Sequence, residues 1–121
     1  MIFSEYSKYD GLGLAELVRR GEVSPNDLID SAIDAIARLN PKINCVVQQL
    51  PQHGRAQVKR GLPYGPFRGV PFLVKEFGMH FKGMVTSAGS RLAAGIKFDS
   101  DSELMRRCNA AGLVTIAAMC L

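Results

Sequence analysis

The stretch "SPNDLIDSAIDAIARLNP" constrains the fold of this 121-residue chain more than any other. Ser24 is a favoured N-cap residue, Pro25 suits the first helical position, and Asp27 stands where the acidic member of a capping box belongs. The pattern predicts a helix that is ended by the Asn40-Pro41 pair. One side of this helix is continuously apolar and needs a second layer to cover it. That side consists of Leu28, Ile29, Ala32, Ile33, Ile36 and Leu39.

Helical and strand-like patterns alternate along the rest of the chain. Helices are predicted within 12–24, closed by Gly21, and over 101–112, where Leu104, Met105, Cys108 and Ala111 form the apolar stripe. Strands are predicted in 43–50, at the end of 65–77 and from 113 onward, whereas 51–63 is polar with a possible short helix at 56–60, and 78–100 is mostly loop. This order predicts an α/β fold with a mixed, partly parallel sheet flanked by helices.

Composition restricts the class of protein further. The hydrophobic fraction of 47% and the charged fraction of 21% are those of a globular domain. The net charge of +4 is spread along the chain, without the basic stripe or interleaved aromatic residues of nucleic-acid-binding proteins. We therefore expect one domain over residues 1–121 that does not bind nucleic acid.

Cysteines and histidines show no metal-site or disulfide pattern. Cys45, Cys108 and Cys120 are odd in number and have no C-x-x-C spacing, which is typical of reduced thiols. His53 and His80 have no Cys, Asp or Glu at metal-ligand spacing, so we interpret them as solvated or structural residues. No phosphate-binding glycine motif is present. The sequence predicts neither a metal nor a cofactor.

The sequence has no segment that predicts association with a membrane. The N-terminus contains acidic residues and lacks the apolar core of a secretory signal. No apolar run approaches the ~20 residues that span a bilayer. A cytoplasmic location without membrane contact is the expectation.

The segment "GVPFLVKEF" ends an apolar run on Lys75. Burial of an ammonium group favours the neutral amine, and a neutral lysine can accept a proton from a nucleophilic serine. Alternatively, Lys75 extends its amine to water beside Glu76. Spacing alone leaves both interpretations open.

The segment "TSAGSR" is the second candidate for chemistry. Its hydroxyls and Gly89 backbone could form part of an active-site wall, with Thr86, Ser87 and Ser90 as the side chains facing a substrate. The same residues are also typical of an ordinary polar loop with no role in chemistry. The Gly-x-Ser-x-Gly spacing of a nucleophile elbow is absent.

Taken in order, the segments "LGLAELVRRGEVSPNDLIDSAIDAIARLNPKIN", "GPFRGVPFLVKEF", "TSAGSR" and "DSELMRRCNAAGLV" resemble the N-terminal part of the amidase signature family. The resemblance covers residues 7–114, and "GVPFLVK" after Gly-Pro is its most specific element. The residues of "PFLVKEF" and "TSAGSR" are more similar to those of general bacterial amidases than to those of the A subunit of tRNA-dependent amidotransferases.

The resemblance implies the amidase signature fold and hydrolysis of small-molecule carboxylic amides by a Ser–cisSer–Lys triad. Lys75 matches the lysine of that triad, which takes a proton relayed from the nucleophile and returns it toward the leaving amine. The family's serines lie in a later Gly-Ser-Ser-Gly-Gly type segment, and the printed sequence has no such segment. The chain as given is therefore expected to be inactive alone.

Two positions depart from the family pattern. Glu76 replaces the usual aspartate after the lysine, and residues 117–121 differ from the Gly-Lys-Thr-Asn type turn that usually follows. We interpret the chain as a partial domain, the N-terminal fragment of an amidase, whose unpaired sheet edges favour self-association. A non-catalytic interaction module, or one piece of a split amidase or of the A chain of an amidotransferase, is the alternative.

Overall fold

A computed structural model of the chain describes residues 1–120. Four α-helices and five strands follow one another in the order α1 (Gly11–Arg19), α2 (Pro25–Ile43), β1 (Val46–Gln49), α3 (Pro51–Arg60), β2 (Pro71–Lys75), β3 (Val85–Thr86), β4 (Ile96–Lys97), α4 (Glu103–Ala110) and β5 (Val114–Met119). Within the described part of the chain, no helix is long and apolar enough to cross a membrane.

Three of the strands form a mixed sheet in the order β1-β5-β2. The central strand β5 pairs in parallel with β2, where Lys75 lies opposite Met119. It pairs antiparallel with β1, where Val46 lies opposite the same methionine. The predicted α/β class with a mixed sheet is confirmed. Within residues 1–120, β2 is an edge strand with β5 as its one neighbour.

Helix α2 begins as the sequence predicts but ends later. The Ser24 hydroxyl accepts a hydrogen bond from the Asp27 N–H at 3.0 Å, and the Asp27 carboxylate accepts the Ser24 N–H at 3.0 Å. The predicted end at Asn40-Pro41 is wrong, because the helix continues through Pro41 and is capped by Asn44 at φ +50°. The Asn40 amide makes two hydrogen bonds to the backbone of Val46, at 2.9 and 3.0 Å, and so ties the helix end to β1.

Apolar side chains form a layer on each face of the sheet. On one face, Ile29, Ala32 and Ile36 of α2 pack with Ile116 of β5. On the other face, Met105 of α4 packs against Met79, Phe81, Met84, Val74 and Ala118. A third cluster joins α1 and α2 to the start of β2 through Leu14, Ala15, Leu28 and Val70.

The buried apolar stripes of α2 and α4 are shorter than the sequence predicts. Leu39 of α2 and Leu104 of α4 are 50% and 53% exposed. Both lie near a helix terminus. Helical periodicity identifies the buried face but not how far along the helix the cover reaches.

The polar segment 51–63 is more helical than predicted. Helix α3 starts at Pro51, and Gly54 lies so close to β5 that an added Cβ would be 2.9 Å from the side chain of Ile116. Gln57 is buried, and its Oε1 accepts the Thr115 N–H at 2.8 Å. Contact with the central strand therefore accounts for a helix whose composition is mostly polar.

The "GPFRG" turn sets the position of β2 beside β5. The backbone N–H groups of Phe67 and Gly69 donate to the carbonyls of Ala111 and Gly112, both at 2.9 Å. An added Cβ at Gly112 would lie 2.5 Å from the Cα of Arg68. Glycine is thus required where this turn meets the turn between α4 and β5.

Candidate functional site

Lys75 is the last residue of β2, at the edge of the sheet where the parallel strands β2 and β5 both end. Its side chain is exposed, and within residues 1–120 it makes no hydrogen bond or ion pair. Leu73 packs with the α2 cluster, whereas Val74 packs with the α4 cluster. Since side chains alternate along a strand, Lys75 leaves the sheet on the α2 side.

Glu76 anchors the "TSAGSR" loop to the end of β2. Its Oε1 accepts the backbone N–H of Ser87 at 2.9 Å and the Ser87 hydroxyl at 3.2 Å. Its carbonyl accepts the Thr86 hydroxyl at 3.4 Å. The Ser87 N–H is the main reason that the pKa of Glu76 lies below its usual range, with smaller contributions from the Thr86 and Ser87 hydroxyls.

The loop then makes a tight turn with an unusual backbone. The Ser90 N–H donates to the Ser87 carbonyl at 2.8 Å. The two central residues, Ala88 and Gly89, have positive φ values of +50° and +75°, as in a type I′ turn. Glycine adopts this conformation freely, whereas for alanine it costs about 1 kcal/mol or more. The Thr86 hydroxyl supports the turn by accepting the Ala88 N–H at 3.0 Å.

A cleft of about 720 Å³ lies beside this loop. Its walls include Glu76, Thr86, Ser87, Gly89 and Ser90, together with Val47 and Gln48 of β1 and Cys120 after β5. In open α/β sheets, ligands bind outside the carboxyl ends of the strands, and the cleft occupies that position for β2 and β5. A second cleft, of about 510 Å³, lies between α1 and residues 64–68 near the opposite end of β2.

The predicted site residues fall into two groups. Thr86, Ser87, Gly89 and Ser90 line one cleft together. Lys75 lies next to Glu76 in sequence but is not among the residues lining that cleft, and within residues 1–120 no hydrogen bond joins it to the loop. The catalytic and substrate-facing roles assigned to these five residues stay predictions.

Sequence reasoning missed Glu76 as the residue that holds the loop. The available signal was a carboxylate directly after a strand, with a Thr-Ser pair ten residues later. The spacing does not show that the chain returns to the end of β2. That return depends on tertiary packing, since Met79, Phe81 and Met84 first pack under α4. The loop prediction for 78–100 likewise missed the short β3–β4 pair.

The two histidines pack against phenylalanines. The His80 ring stacks on Phe98 at 3.8 Å between centroids, and its Nδ1 lies 2.9 Å from the carbonyl of Ser100. The His53 ring stacks on Phe81 at 4.1 Å. Burial, assisted by the charge of Arg60, lowers the pKa of His53. Among the described residues, no three His, Cys, Asp or Glu side chains form a group suited to a metal ion.

Solved structures share this arrangement. The structure of 6-aminohexanoate cyclic dimer hydrolase matches 92% of this chain with a TM-score of 0.83 and 31% identity, and the match covers 23% of the hydrolase. Peptide amidase from Stenotrophomonas maltophilia matches 94% of the chain with a TM-score of 0.78 and 28% identity, over 25% of its own length. The fold is that of amide-cleaving enzymes of the amidase signature class.

Sequence comparisons reach the same class. The Amidase family model matches residues 27–119. The 6-aminohexanoate-cyclic-dimer hydrolase of Paenarthrobacter ureafaciens is 33% identical over 109 residues, covering 88% of this chain and 22% of the hydrolase. The A subunit of the glutamyl-tRNA(Gln) amidotransferase of Salinispora arenicola is 34% identical over 111 residues, covering 85% of this chain and 22% of the relative. The chain belongs to the amidase family and corresponds to an N-terminal part of it.

The chain spans about a quarter of the length of the relatives it matches. The two relatives named by sequence are almost equally identical to it, although one is a hydrolase and the other belongs to an amidotransferase. The expected similarity to general amidases over amidotransferase subunits therefore stays a prediction.

Proposed function

We propose that this chain supplies the lysine of an amide-hydrolysing Ser–cisSer–Lys triad, with Lys75 as the base. The observation that carries the proposal is the position of Lys75, exposed at the carboxyl end of β2 and without an ion pair within residues 1–120. An amine held by a strand end but not engaged by the chain's own carboxylates is available to a further segment. Membership of the amidase family supports a serine-bearing segment in that role.

The reaction follows the family's chemistry. The nucleophilic serine attacks the amide carbonyl carbon while its proton passes through the bridging serine to the Nζ of Lys75, which acts as the base. Backbone N–H groups stabilise the oxyanion of the tetrahedral intermediate. As the C–N bond breaks, the proton returns to the leaving amine and the acyl group stays on the serine as an ester. Water then attacks that ester, which releases the carboxylic acid and restores the serine hydroxyl. Both serines must come from a Gly-Ser-Ser-Gly-Gly type segment, which the printed sequence does not contain.

Thr86, Ser87, Gly89 and Ser90 are proposed to form one wall of the substrate site. Their cleft at the carboxyl ends of the parallel strands and their fixed turn support this role. The substrate class is a small carboxylic amide, consistent with a relative named for hydrolysis of the 6-aminohexanoate cyclic dimer. Glu76 would hold the wall in place through Ser87.

A chimera tests the proposal. Residues 1–119 replace the matching segment of the Paenarthrobacter ureafaciens hydrolase, which contributes its own remaining sequence. We expect the folded chimera to hydrolyse an amide, and Lys75→Ala to lower kcat at least about 10³-fold, as loss of a triad member does. Lys97→Ala, at another exposed lysine, is the matched control and should leave kcat unchanged.

Two results would contradict the proposal. One is a folded chimera in which Lys75→Ala and Lys97→Ala have equal activity. The other is amide hydrolysis at enzyme-like rates by the 121-residue chain alone, since that chain lacks the serine segment.

A non-catalytic interaction module is the second candidate, and the edge of β2 that is unpaired within residues 1–120 favours it. In that case the chain would form a stoichiometric complex with a partner that lacks the serine segment. A split amidase would instead show activity when the chain is mixed with a polypeptide carrying both serines. Activity measured in the mixture separates the two alternatives.

A further inference from the structure

A polar cleft of about 300 Å³ lies between α3, α4 and the segment that follows β2, on residues that the proposed amidase chemistry does not use. Its walls are His53, Gln57, Arg60, Phe81, Lys82, Asp101 and Asn109. Arg60 and Lys82 are exposed, and neither forms an ion pair within residues 1–120. The cleft therefore carries two unpaired cations from different segments against a single carboxylate.

The amides of the cleft are oriented by a chain of hydrogen bonds. The backbone N–H of Thr115 can only donate, so the Gln57 oxygen must accept it, at 2.8 Å. The Gln57 nitrogen then donates to the Asn109 oxygen at 3.3 Å. This leaves the two N–H groups of the Asn109 amide as its unused hydrogen-bonding groups.

The unused groups of the cleft are mostly donors. Besides the Asn109 amide, they are the guanidinium of Arg60, the ammonium of Lys82 and a ring nitrogen of His53, whose imidazole is fixed by stacking on Phe81. Asp101 is the one acidic side chain among these walls, and its Oδ1 already accepts the Lys82 backbone N–H at 2.7 Å. A cleft with excess donors and excess positive charge is complementary to an oxyanion.

We propose that this cleft binds a phosphate-class oxyanion, held by Arg60, Lys82, Asn109 and His53. Donors from three segments of the chain suit a tetrahedral group with several oxygens better than the two oxygens of a carboxylate. The volume accommodates the anion together with a small organic group. The proposal concerns residues away from Lys75 and does not depend on the proposed amidase function.

The test uses sulfate, a tetrahedral anion whose charge does not change while an imidazole titrates. The 121-residue chain is titrated with sodium sulfate at constant ionic strength, and the Asn109 side-chain amide and the His53 ring are followed by NMR. We expect saturable binding, weakened about tenfold by Arg60→Gln and by Lys82→Gln, the loss typical of one charge-assisted hydrogen bond. Lys59→Gln is the matched control, since it removes the same charge from an exposed position on α3 outside the cleft.

Protonation of His53 provides a second readout. A bound anion favours the imidazolium, so sulfate should raise the pKa of His53 and bind more tightly as the pH falls through that pKa. The charges that face the ring are Arg60, Lys82 and Asp101. His53→Gln should bind sulfate with no pH dependence over the range in which imidazole titrates.

Three results would overturn the proposal. The first is non-saturable binding, and the second is an equal loss of affinity in Lys59→Gln and the two cleft variants, since both would show attraction to net charge alone. The third is tighter binding of acetate than of sulfate, which would assign the cleft to carboxylates. Thermal melting of each variant confirms that the compared proteins are folded.

Discussion

Single residues decide where the strands of this chain meet. Gly112 combines a φ of +91° with a close approach to another backbone, its missing Cβ lying 2.5 Å from the Arg68 Cα. Gly112→Ala should lower the free energy of unfolding by about 3 kcal/mol, because strain at positive φ and overpacking add together. Urea denaturation measures the change.

The matched control for that prediction is Gly21→Ala. Gly21 also has a positive φ, +75°, but nothing lies within 4 Å of an added Cβ. Only the backbone conformation is penalised there, so the expected loss is about 1 kcal/mol. Equal losses in the two variants would show that the close approach of Gly112 to Arg68 adds no penalty to the strain at positive φ.

Two neighbouring residues of the candidate site, Lys75 and Glu76, differ in how far the sequence alone predicts their positions and contacts. "GVPFLVK" locates Lys75 at a strand end, which the structure confirms, because a β-branched and aromatic run before a charged residue is a local pattern. The carboxylate of Glu76 reaches Ser87, eleven residues later, through a loop whose path depends on packing under α4. A contact that depends on tertiary packing produces no periodic pattern in the sequence from which it could be predicted.

At the scale of an element, the "TSAGSR" loop is held by one carboxylate. Glu76→Ala removes the acceptor of the Ser87 N–H and hydroxyl, both within 3.2 Å. We expect the hydrogen-exchange protection factor of the Ser87 amide to fall about tenfold, the effect of losing one hydrogen bond to a charged group. Glu22→Ala removes an exposed carboxylate elsewhere and is the control.

The pH dependence of the loop follows from the same contact. Because the pKa of Glu76 is below its unfolded value, its stabilisation is present above that unfolded pKa and is lost as pH falls through the folded pKa. Protection of Ser87 should therefore decrease at acidic pH in the wild type but stay constant and low in Glu76→Ala. A parallel decrease in both proteins would mean that another group controls the loop.

The beginning of α2 is predicted correctly from the sequence, whereas its end is not. The capping box at Ser24 is local and appears as the sequence predicts. At its far end α2 continues through Pro41, and the Asn40 side chain binds the backbone of Val46 at the start of β1. A helix cap formed by residues within four positions of one another can be predicted from the sequence, whereas a helix end held by contacts with the following strand cannot.

At the scale of the whole molecule, the outer edge of β2 determines how the chain meets other chains. The Glu76 N–H donates to Met119 of β5, so alternate residues back along the strand also face β5. Leu73 therefore has its N–H on the outer edge. Pro71, two residues earlier, faces the same edge but has no N–H to donate, so it protects only that one position from pairing. An apolar run predicts a strand, but it does not reveal that β5, and not β2, is central.

We expect this edge to pair with a second copy at high concentration. The Leu73 amide should become protected from hydrogen exchange as concentration rises, and analytical ultracentrifugation should show a matching rise in mass. Leu73→Pro removes the outward donor and should weaken association about fivefold, roughly the contribution of one backbone hydrogen bond. Because Leu73 also packs with the α2 cluster, thermal melting must show that this variant is folded before the two proteins are compared. Val47→Lys tests the opposite edge, since Val47 is exposed on β1. If Val47→Lys abolished association while Leu73→Pro left it intact, the contact would run through β1, and the β2 edge would remain open for a segment that completes the sheet beside Lys75.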